Sequence, residues 1–286
     1  MTQSDSLTVF TGLMAPVFTP FNGDDDINYD MVEPYARRLK SNGIEAVLVN
    51  GTTGEGSLLT VAERKKVTEK WKNCCKKYDM LLMVQIAGCC LKDAIELARH
   101  CADLKVDGVL CLPELYFRPT SIENLLDYLT SISFHCSNLP IYYYHIPAFT
   151  NVNLPMDKFM EYASRQLPAF AGIKYTSGDM EMAVKCLPYG QVFLGSDTIL
   201  VGALALGFKC AIMTSLNMKP EISERIIELM DQGNIEEARE EQMILNHYVS
   251  KILENGNGQW VTSMKKAFND ENGPLSMGRC RKPHQI

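Results

Sequence analysis

An α/β fold, a (β/α)8 TIM barrel with a C-terminal helical appendix, is what this chain of 286 residues predicts. Three observations carry the prediction. Short β-branched and apolar runs recur eight times along the chain, and stretches with helical spacing of apolar residues lie between them. The runs are also continuously apolar rather than alternating, as parallel strands are when helices cover one face and packed side chains fill the other.

The first run, Leu13–Thr19, leads into Thr19-Pro20-Phe21-Asn22-Gly23 and three aspartates, Asp24 to Asp26. A doubly wound open sheet would carry a glycine-rich turn at that point, so the barrel is preferred. Three unspaced carboxylates seldom converge on one ion, and the aspartates read as a solvated loop. Met31–Ser41 follows with amphipathic helical spacing. Strand Glu45–Asn50 precedes helix Ala62–Lys77, Leu81–Ala87 precedes Lys92–Leu104, Gly108–Leu112 precedes Ile122–Phe134, and Ile141–His145 precedes Pro155–Ser164. Phe170–Tyr175, Gln191–Gly195 and Cys210–Thr214 complete the eight strands, and Glu221–Met230 reads as the eighth helix. The appendix is Ile235–Leu253 and Gln259–Asn269, joined by the turn Asn255-Gly256-Asn257-Gly258. No Pro/Gly/Ser linker divides the chain, so one domain is expected over 1–286, with the barrel at about 10–232 and the C-terminal helices at about 233–286.

Composition excludes several classes of function. Twenty-eight Lys plus Arg against 34 Asp plus Glu give a net charge of −6, the wrong sign for a nucleic-acid partner. No Lys or Arg precedes Arg37, which argues against a secretory signal or a transit peptide. The longest smooth apolar stretch, Ile199–Phe208, is about half of the roughly 20 residues that a membrane span needs. A soluble, cytoplasmic protein with no membrane partner is expected. The ten cysteines include the vicinal pairs Cys74-Cys75 and Cys89-Cys90, but no C-x-x-C or H-E-x-x-H occurs. Buried, reduced thiols are expected, with no metal and no cofactor.

Barrel enzymes do their chemistry at the C-terminal ends of the strands. The second strand ends in Asn50-Gly51-Thr52-Thr53-Gly54-Glu55-Gly56, a tight turn presenting two hydroxyls and their amides as a small oxyanion nest. It lacks the spacing of a phosphate loop, and a plain glycine-rich turn is the alternative. The sixth strand closes with a lone lysine, Lys174, at the end of an apolar run; apolar surroundings disfavour an ammonium ion and so favour the amine that Schiff-base catalysis requires. A lysine with its tip in solvent is the plain alternative. On the fifth strand Tyr142 and Tyr144 share one face and Tyr143 takes the other, so one tyrosine near the top can reach a group on the sixth strand while the others pack. Gly195-Ser196-Asp197-Thr198 and Met213-Thr214-Ser215 offer hydroxyls and a carboxylate to a polyhydroxylated ligand, although Gly-Ser-Asp also suits a helix N-cap.

Four motifs in order, G-T-T-G-E at 51–55, Y-x-I-P-A at 144–148, I-K-x-T-S-G-D at 173–179 and C-R-K-P at 280–283, resemble the N-acetylneuraminate lyase (sialic acid aldolase) branch of the dihydrodipicolinate synthase superfamily, animal members above all. The resemblance spans residues 10 to 283. Dihydrodipicolinate synthases usually place an arginine two residues after the proline of the tyrosine motif, to hold a second carboxylate; here Pro147-Ala148-Phe149 lacks it. The resemblance implies a class I aldolase with carbon–carbon lyase activity and no cofactor beyond a covalent imine. Lys174 would form the imine, Thr52 and Thr53 would hold the carboxylate, Tyr144 would transfer a proton, and Thr176, Gly195 and Asp197 would contact the sugar chain. The base would be the Tyr144 phenolate or the substrate's own carboxylate relayed through the tyrosine. The expected partner is a sugar acid substrate, and relatives are commonly homotetramers.

Departures from the pattern fall at the aldehyde end. Thr198 stands where a glutamate is common, and Thr214 where a serine is usual. Met213 and Leu216 replace a glycine and a tyrosine, which should make the far wall bulkier and less polar. Two other readings follow: another pyruvate-dependent aldolase or 2-keto-acid dehydratase of the superfamily, or a barrel without catalysis that acts as a binding protein.

Overall fold

The computed structural model describes residues 10–88, 90–256 and 258–284. Expectations for residues 1–9, Cys89 and Asn257 therefore lie outside the described residues. Eight parallel strands close into a barrel in sequence order: β1 (Gly12–Pro16), β2 (Ala46–Val49), β3 (Leu81–Gln85), β4 (Gly108–Cys111), β5 (Ile141–His145), β6 (Phe170–Tyr175), β7 (Gln191–Leu194) and β8 (Cys210–Ile212). β1 closes the ring by pairing with β8 through Gly12 and Cys210, Leu13 and Ala211, and Met14 and Ile212. Six strands end before or start inside their expected bounds. The residues left over, such as Val17 to Thr19 and Met213 to Thr214, are buried rim segments beyond the last paired residue.

The outer layer contains α1 (Val32–Ser41), α2 (Val61–Tyr78), α3 (Leu91–Leu104), α4 (Ile122–Ser133), α5 (Pro147–Thr150), α6 (Met156–Gln166), α7 (Met180–Cys186), α8 (Leu200–Ala205) and α9 (Pro220–Asp231). The helices that were legible present periodic apolar faces, such as Leu125, Leu126, Leu129 and Ile132 on α4. Three short helices were not anticipated: α5, α7 and α8 have four, seven and six residues, too few turns to display a period. Ile199–Phe208, noted only as an apolar stretch, contains α8. α2 starts at a reciprocal cap, in which Thr60 Oγ1 accepts from the Glu63 amide and Glu63 accepts from the Thr60 amide.

Inside the barrel, Phe10, Tyr142 and Phe193 pack edge to face, and the Tyr142 hydroxyl donates to Gln191 Oε1 at 2.6 Å. Tyr143 points the other way, against Phe159 of α6, as the alternation requires. His145 lies between Tyr143 and Tyr175, and burial pulls its pKa down to about 4. Eight of the nine described cysteines are buried, and Cys90 is exposed just before α3, which corrects the expectation of uniformly buried thiols. Burial pushes the thiols of Cys75, Cys136 and Cys210 up to about 12, which disfavours the reactive thiolate.

The appendix consists of α10 (Ile235–Glu254), α11 (Trp260–Asn272) and the segment to 284. It is attached to the barrel rim by buried polar contacts. Lys265 of α11 donates to the Thr19 carbonyl at 2.7 Å and to Glu55 Oε1 at 2.8 Å, and both side chains of this ion pair are essentially inaccessible. The Arg281 amide donates to Glu55 Oε2 at 2.8 Å, while its guanidinium reaches Glu63 and the carbonyls of Asp25 and Leu58. Arg281 holds the Glu63 carboxyl down at about 2. Asp25 thus contributes its carbonyl to the attachment, and the aspartate loop around it is exposed.

Removing one member of a buried ion pair leaves an uncompensated charge, at a cost of roughly 3–5 kcal/mol. Lys265→Met should lower stability by about that amount in urea unfolding, and adding Glu55→Gln should recover much of it; a single variant as stable as the parent would contradict the assignment. His145 gives a pH dependence. The unfolded chain binds a proton near pH 6.5 and the folded chain only near pH 4, so stability falls as pH drops through that window, by about 3 kcal/mol in total. The Glu63 contribution is lost separately, below about pH 4.5. His145→Phe should flatten unfolding midpoints between pH 6.5 and 4.5; an unchanged slope would refute the His145 contribution.

Candidate active site

The C-terminal strand ends open onto a cavity of about 450 Å³ whose lining includes Thr52, Thr53, Tyr144, Lys174, Thr176, Gly195, Asp197, Thr198 and Thr214. Every residue singled out from the sequence as catalytic or substrate-binding therefore reaches one space. Lys174 of β6 and Tyr144 of β5 are register partners, and the Lys174 Nζ lies 4.2 Å from the Tyr144 ring centroid. Lys174 is only 5% exposed, so its amine sits in the cavity and not in bulk solvent. Among the lining residues it is the one basic side chain, and Asp197 the one carboxylate.

The loop after β2 is shaped by backbone constraints. Asn50 and Glu55 adopt left-handed conformations, with φ of 57° and 55°, and bonds from Gly56 N to Gly51 O and from Glu55 N to Thr52 O tighten the turn. A Cβ at position 56 would fall 1.8 Å from the Asn50 carbonyl oxygen, so only glycine fits. The turn brings Thr52 Oγ1 to 3.1 Å from the Tyr144 hydroxyl and Thr53 Oγ1 to 3.1 Å from Thr214 Oγ1. Thr214 is fixed in turn: Asn217 donates to the carbonyls of Thr214 and Pro16, each at 2.9 Å, and accepts from buried Tyr35.

Asp197 has a bracing contact as well as a place in the lining. Its Oδ1 accepts from the Ser215 amide at 2.7 Å, tying the end of β7 to the end of β8, and its carbonyl accepts from Gln242 of α10 at 3.1 Å. Burial raises the Asp197 pKa, against the opposing effects of bonds from Ser215 and Thr214 and of the Lys174 charge. It does not cap α8, whose Val201 amide donates instead to Gln242 Oε1. Gly195 leaves room for a neighbour: a Cβ there would lie 1.9 Å from Thr176 Oγ1. That hydroxyl is buried and has no hydrogen-bond partner among the described residues. Thr198 is exposed at the rim, 3.4 Å from Ser196 Oγ.

Met213 and Leu216 are fully buried and do not line the cavity, which corrects the expectation that they build its far wall. They lie just outside a strand end whose alternate residues, Ile212 and Thr214, face the cavity. Ile146, Phe149, Ile199 and Trp260 supply apolar lining. Trp260 was missed. It opens α11, reaches the cavity from the appendix, and donates from Nε1 to Thr214 Oγ1 at 3.2 Å. The available signal was a tryptophan, one of two in the chain, two positions after a glycine-rich turn.

Among the described residues, no group of three or more His, Cys, Asp or Glu is placed to hold a metal ion, and no helix is long and apolar enough to cross a membrane. Comparison with known proteins gives consistent relationships. The N-acetylneuraminate lyase of Danio rerio is 32% identical over 287 residues, covering 98% of this chain and 92% of the relative. That of Homo sapiens is 29% identical over 280 residues, covering 96% and 87%. Among solved structures, the Aliivibrio salmonicida N-acetylneuraminate lyase (sialic acid aldolase) superposes with a TM-score of 0.90 at 28% identity, covering 97% and 91%. The Proteus mirabilis N-acetylneuraminate lyase gives 0.89 at 27%, covering 96% and 92%. The model of the dihydrodipicolinate synthetase family matches residues 9–285, and the chain belongs to that family.

Proposed function

We propose that this protein is a class I aldolase that cleaves N-acetylneuraminate to N-acetylmannosamine and pyruvate through an imine on Lys174. The observation that carries the reading is the buried amine of Lys174, 4.2 Å over the Tyr144 ring, with the Tyr144 hydroxyl itself bonded to Thr52. An amine, a proton-transfer hydroxyl and an oxyanion loop on three adjacent parts of one cavity are what a 2-keto acid needs for imine chemistry. The relatives named N-acetylneuraminate lyase support the choice of sugar acid. The apolar Ala148 and Phe149 fit a substrate with one carboxylate rather than two.

In this reading the Lys174 Nζ attacks the C2 ketone, water leaves, and a protonated imine results. Thr52 and Thr53 hold the neighbouring carboxylate. Removal of the C4 hydroxyl proton, with the Tyr144 hydroxyl in the transfer path, lets the C3–C4 bond break: its electrons move to the imine nitrogen, and the C4 fragment departs as the aldehyde of N-acetylmannosamine. The enamine left behind takes a proton at C3, and hydrolysis returns pyruvate and the free amine. The imine acts as the electron sink throughout. At the sugar end, Thr176 offers a buried hydroxyl that lacks a hydrogen-bond partner among the described residues, and Asp197 offers a braced carboxylate.

The exposed, neutral Thr198 favours one second reading, in which the substrate is a shorter 2-keto-3-deoxy sugar acid. Comparing cleavage of both substrate types separates the two: turnover of N-acetylneuraminate with pyruvate release is expected, and no turnover alongside good cleavage of the shorter acids would overturn the first reading. Tyr144→Phe should still allow borohydride trapping of pyruvate while slowing cleavage by roughly 10²-fold or more. Cleavage at the parent rate would remove Tyr144 from the proton path.

A further inference from the structure

We infer that Trp260 is a positioning residue that sets the direction of hydrogen bonding in a buried hydroxyl pair, so that Thr53 presents its proton to the substrate carboxylate. The inference rests on the reading of Thr53 as a carboxylate-holding residue. Trp260 belongs to α11 of the appendix, far along the chain from the loop it serves, and lines the cavity beside Thr214. Its indole N–H lies 3.2 Å from Thr214 Oγ1, which lies 3.1 Å from Thr53 Oγ1. Both threonines are nearly inaccessible, at 5% and 4% exposure, so the chain of three groups runs through a largely dry space where the order of donors matters.

The indole's fixed role as a donor biases that order. An indole N–H only donates, whereas a hydroxyl has one proton and two lone pairs. Trp260 therefore occupies one lone pair of Thr214 Oγ1. If Thr53 donated to Thr214, both Thr214 lone pairs would be taken, its proton would need another acceptor, and Thr53 would turn lone pairs towards an incoming anion. If Thr214 donates to Thr53, the indole and Thr214 protons are both used within the chain, and the Thr53 proton is left to point at the carboxylate. The indole donation also polarises the Thr214 hydroxyl as a donor. Without it, nothing on the side of Thr214 favours that order, and the order that turns Thr53 lone pairs towards the substrate gains population. Thr214 then acts chiefly as the link between Trp260 and Thr53, and only secondarily as a contact to the sugar.

Trp260→Phe keeps an aromatic ring and deletes the donor. The test measures borohydride trapping against pyruvate concentration, together with KM and kcat for cleavage, in the parent, Trp260→Phe, Thr214→Val and the double variant. Loss of one such bond corresponds to about a threefold to tenfold rise in the pyruvate half-saturation concentration for Trp260→Phe. The same rise is expected in KM, with kcat within about twofold of the parent. In the Thr214→Val background the tryptophan substitution should have no further effect, because the link is already gone. Because a reversibly unfolded fraction would itself raise the apparent half-saturation, urea unfolding of each variant accompanies the titration, and the rise is read where the folded fraction matches that of the parent. An unchanged half-saturation in Trp260→Phe, or an equal rise in the presence and absence of Thr214, would overturn the inference by assigning Trp260 to packing alone. Absence of trapping in the parent itself would overturn the imine reading, and this inference with it.

Discussion

The buried ion pair between Glu55 and Lys265 is the contact on which the shape of the active end depends. Glu55 belongs to the loop that carries Thr52 and Thr53, and Lys265 to a helix of the appendix 210 residues later. Two charges removed from water at the same place are tolerable only if their remaining hydrogen-bonding capacity is met. Here it is: the ammonium also donates to the Thr19 carbonyl at 2.7 Å, and the carboxylate also accepts from the Arg281 amide at 2.8 Å. With Glu55 held in a left-handed conformation and Gly56 against the Asn50 carbonyl, the intervening residues have little freedom. The appendix is thus part of the machinery that orients two threonine hydroxyls.

The two ends of the cavity differ in how much of their bonding is already arranged. At the proposed carboxylate end, Thr52 is bonded to Tyr144, Thr53 to Thr214, and Thr214 to Trp260. Groups held in advance contribute to a transition state without being reorganised during it. At the proposed sugar end, Thr198 is exposed and the buried Thr176 hydroxyl has no hydrogen-bond partner among the described residues. On the proposed reading, a protein of net charge −6 accommodates an anionic substrate because one amine and a few oriented donors act locally.

How much of this could be read in the sequence follows from the range of each interaction. The eight strands were legible because a strand covered on both faces is an unbroken apolar run, and β5 and β6 have the bounds expected for them. The orientation of the three tyrosines followed from alternation alone. Lys174 was legible as a lone charge ending an apolar run, and the threonines through the turn that holds them. Helices α7 and α8 were not, since one or two turns leave no period to detect. Met213 and Leu216 were misplaced because a residue's face at the end of a strand depends on where pairing stops. Lys265 acts on a residue 210 positions away and Trp260 on a single hydroxyl of another element, and no local pattern records either; Arg281 lay within the C-R-K-P motif, but its contacts with Glu55 and Glu63 did not show there.

The central claim is that the buried amine at the end of β6 forms the covalent bond to substrate. Peptide mapping of the intact protein after treatment with pyruvate and borohydride tests it most directly. The account predicts one reduced pyruvyl adduct, on the peptide carrying Lys174. An adduct on another lysine, or none at saturating pyruvate, would contradict it.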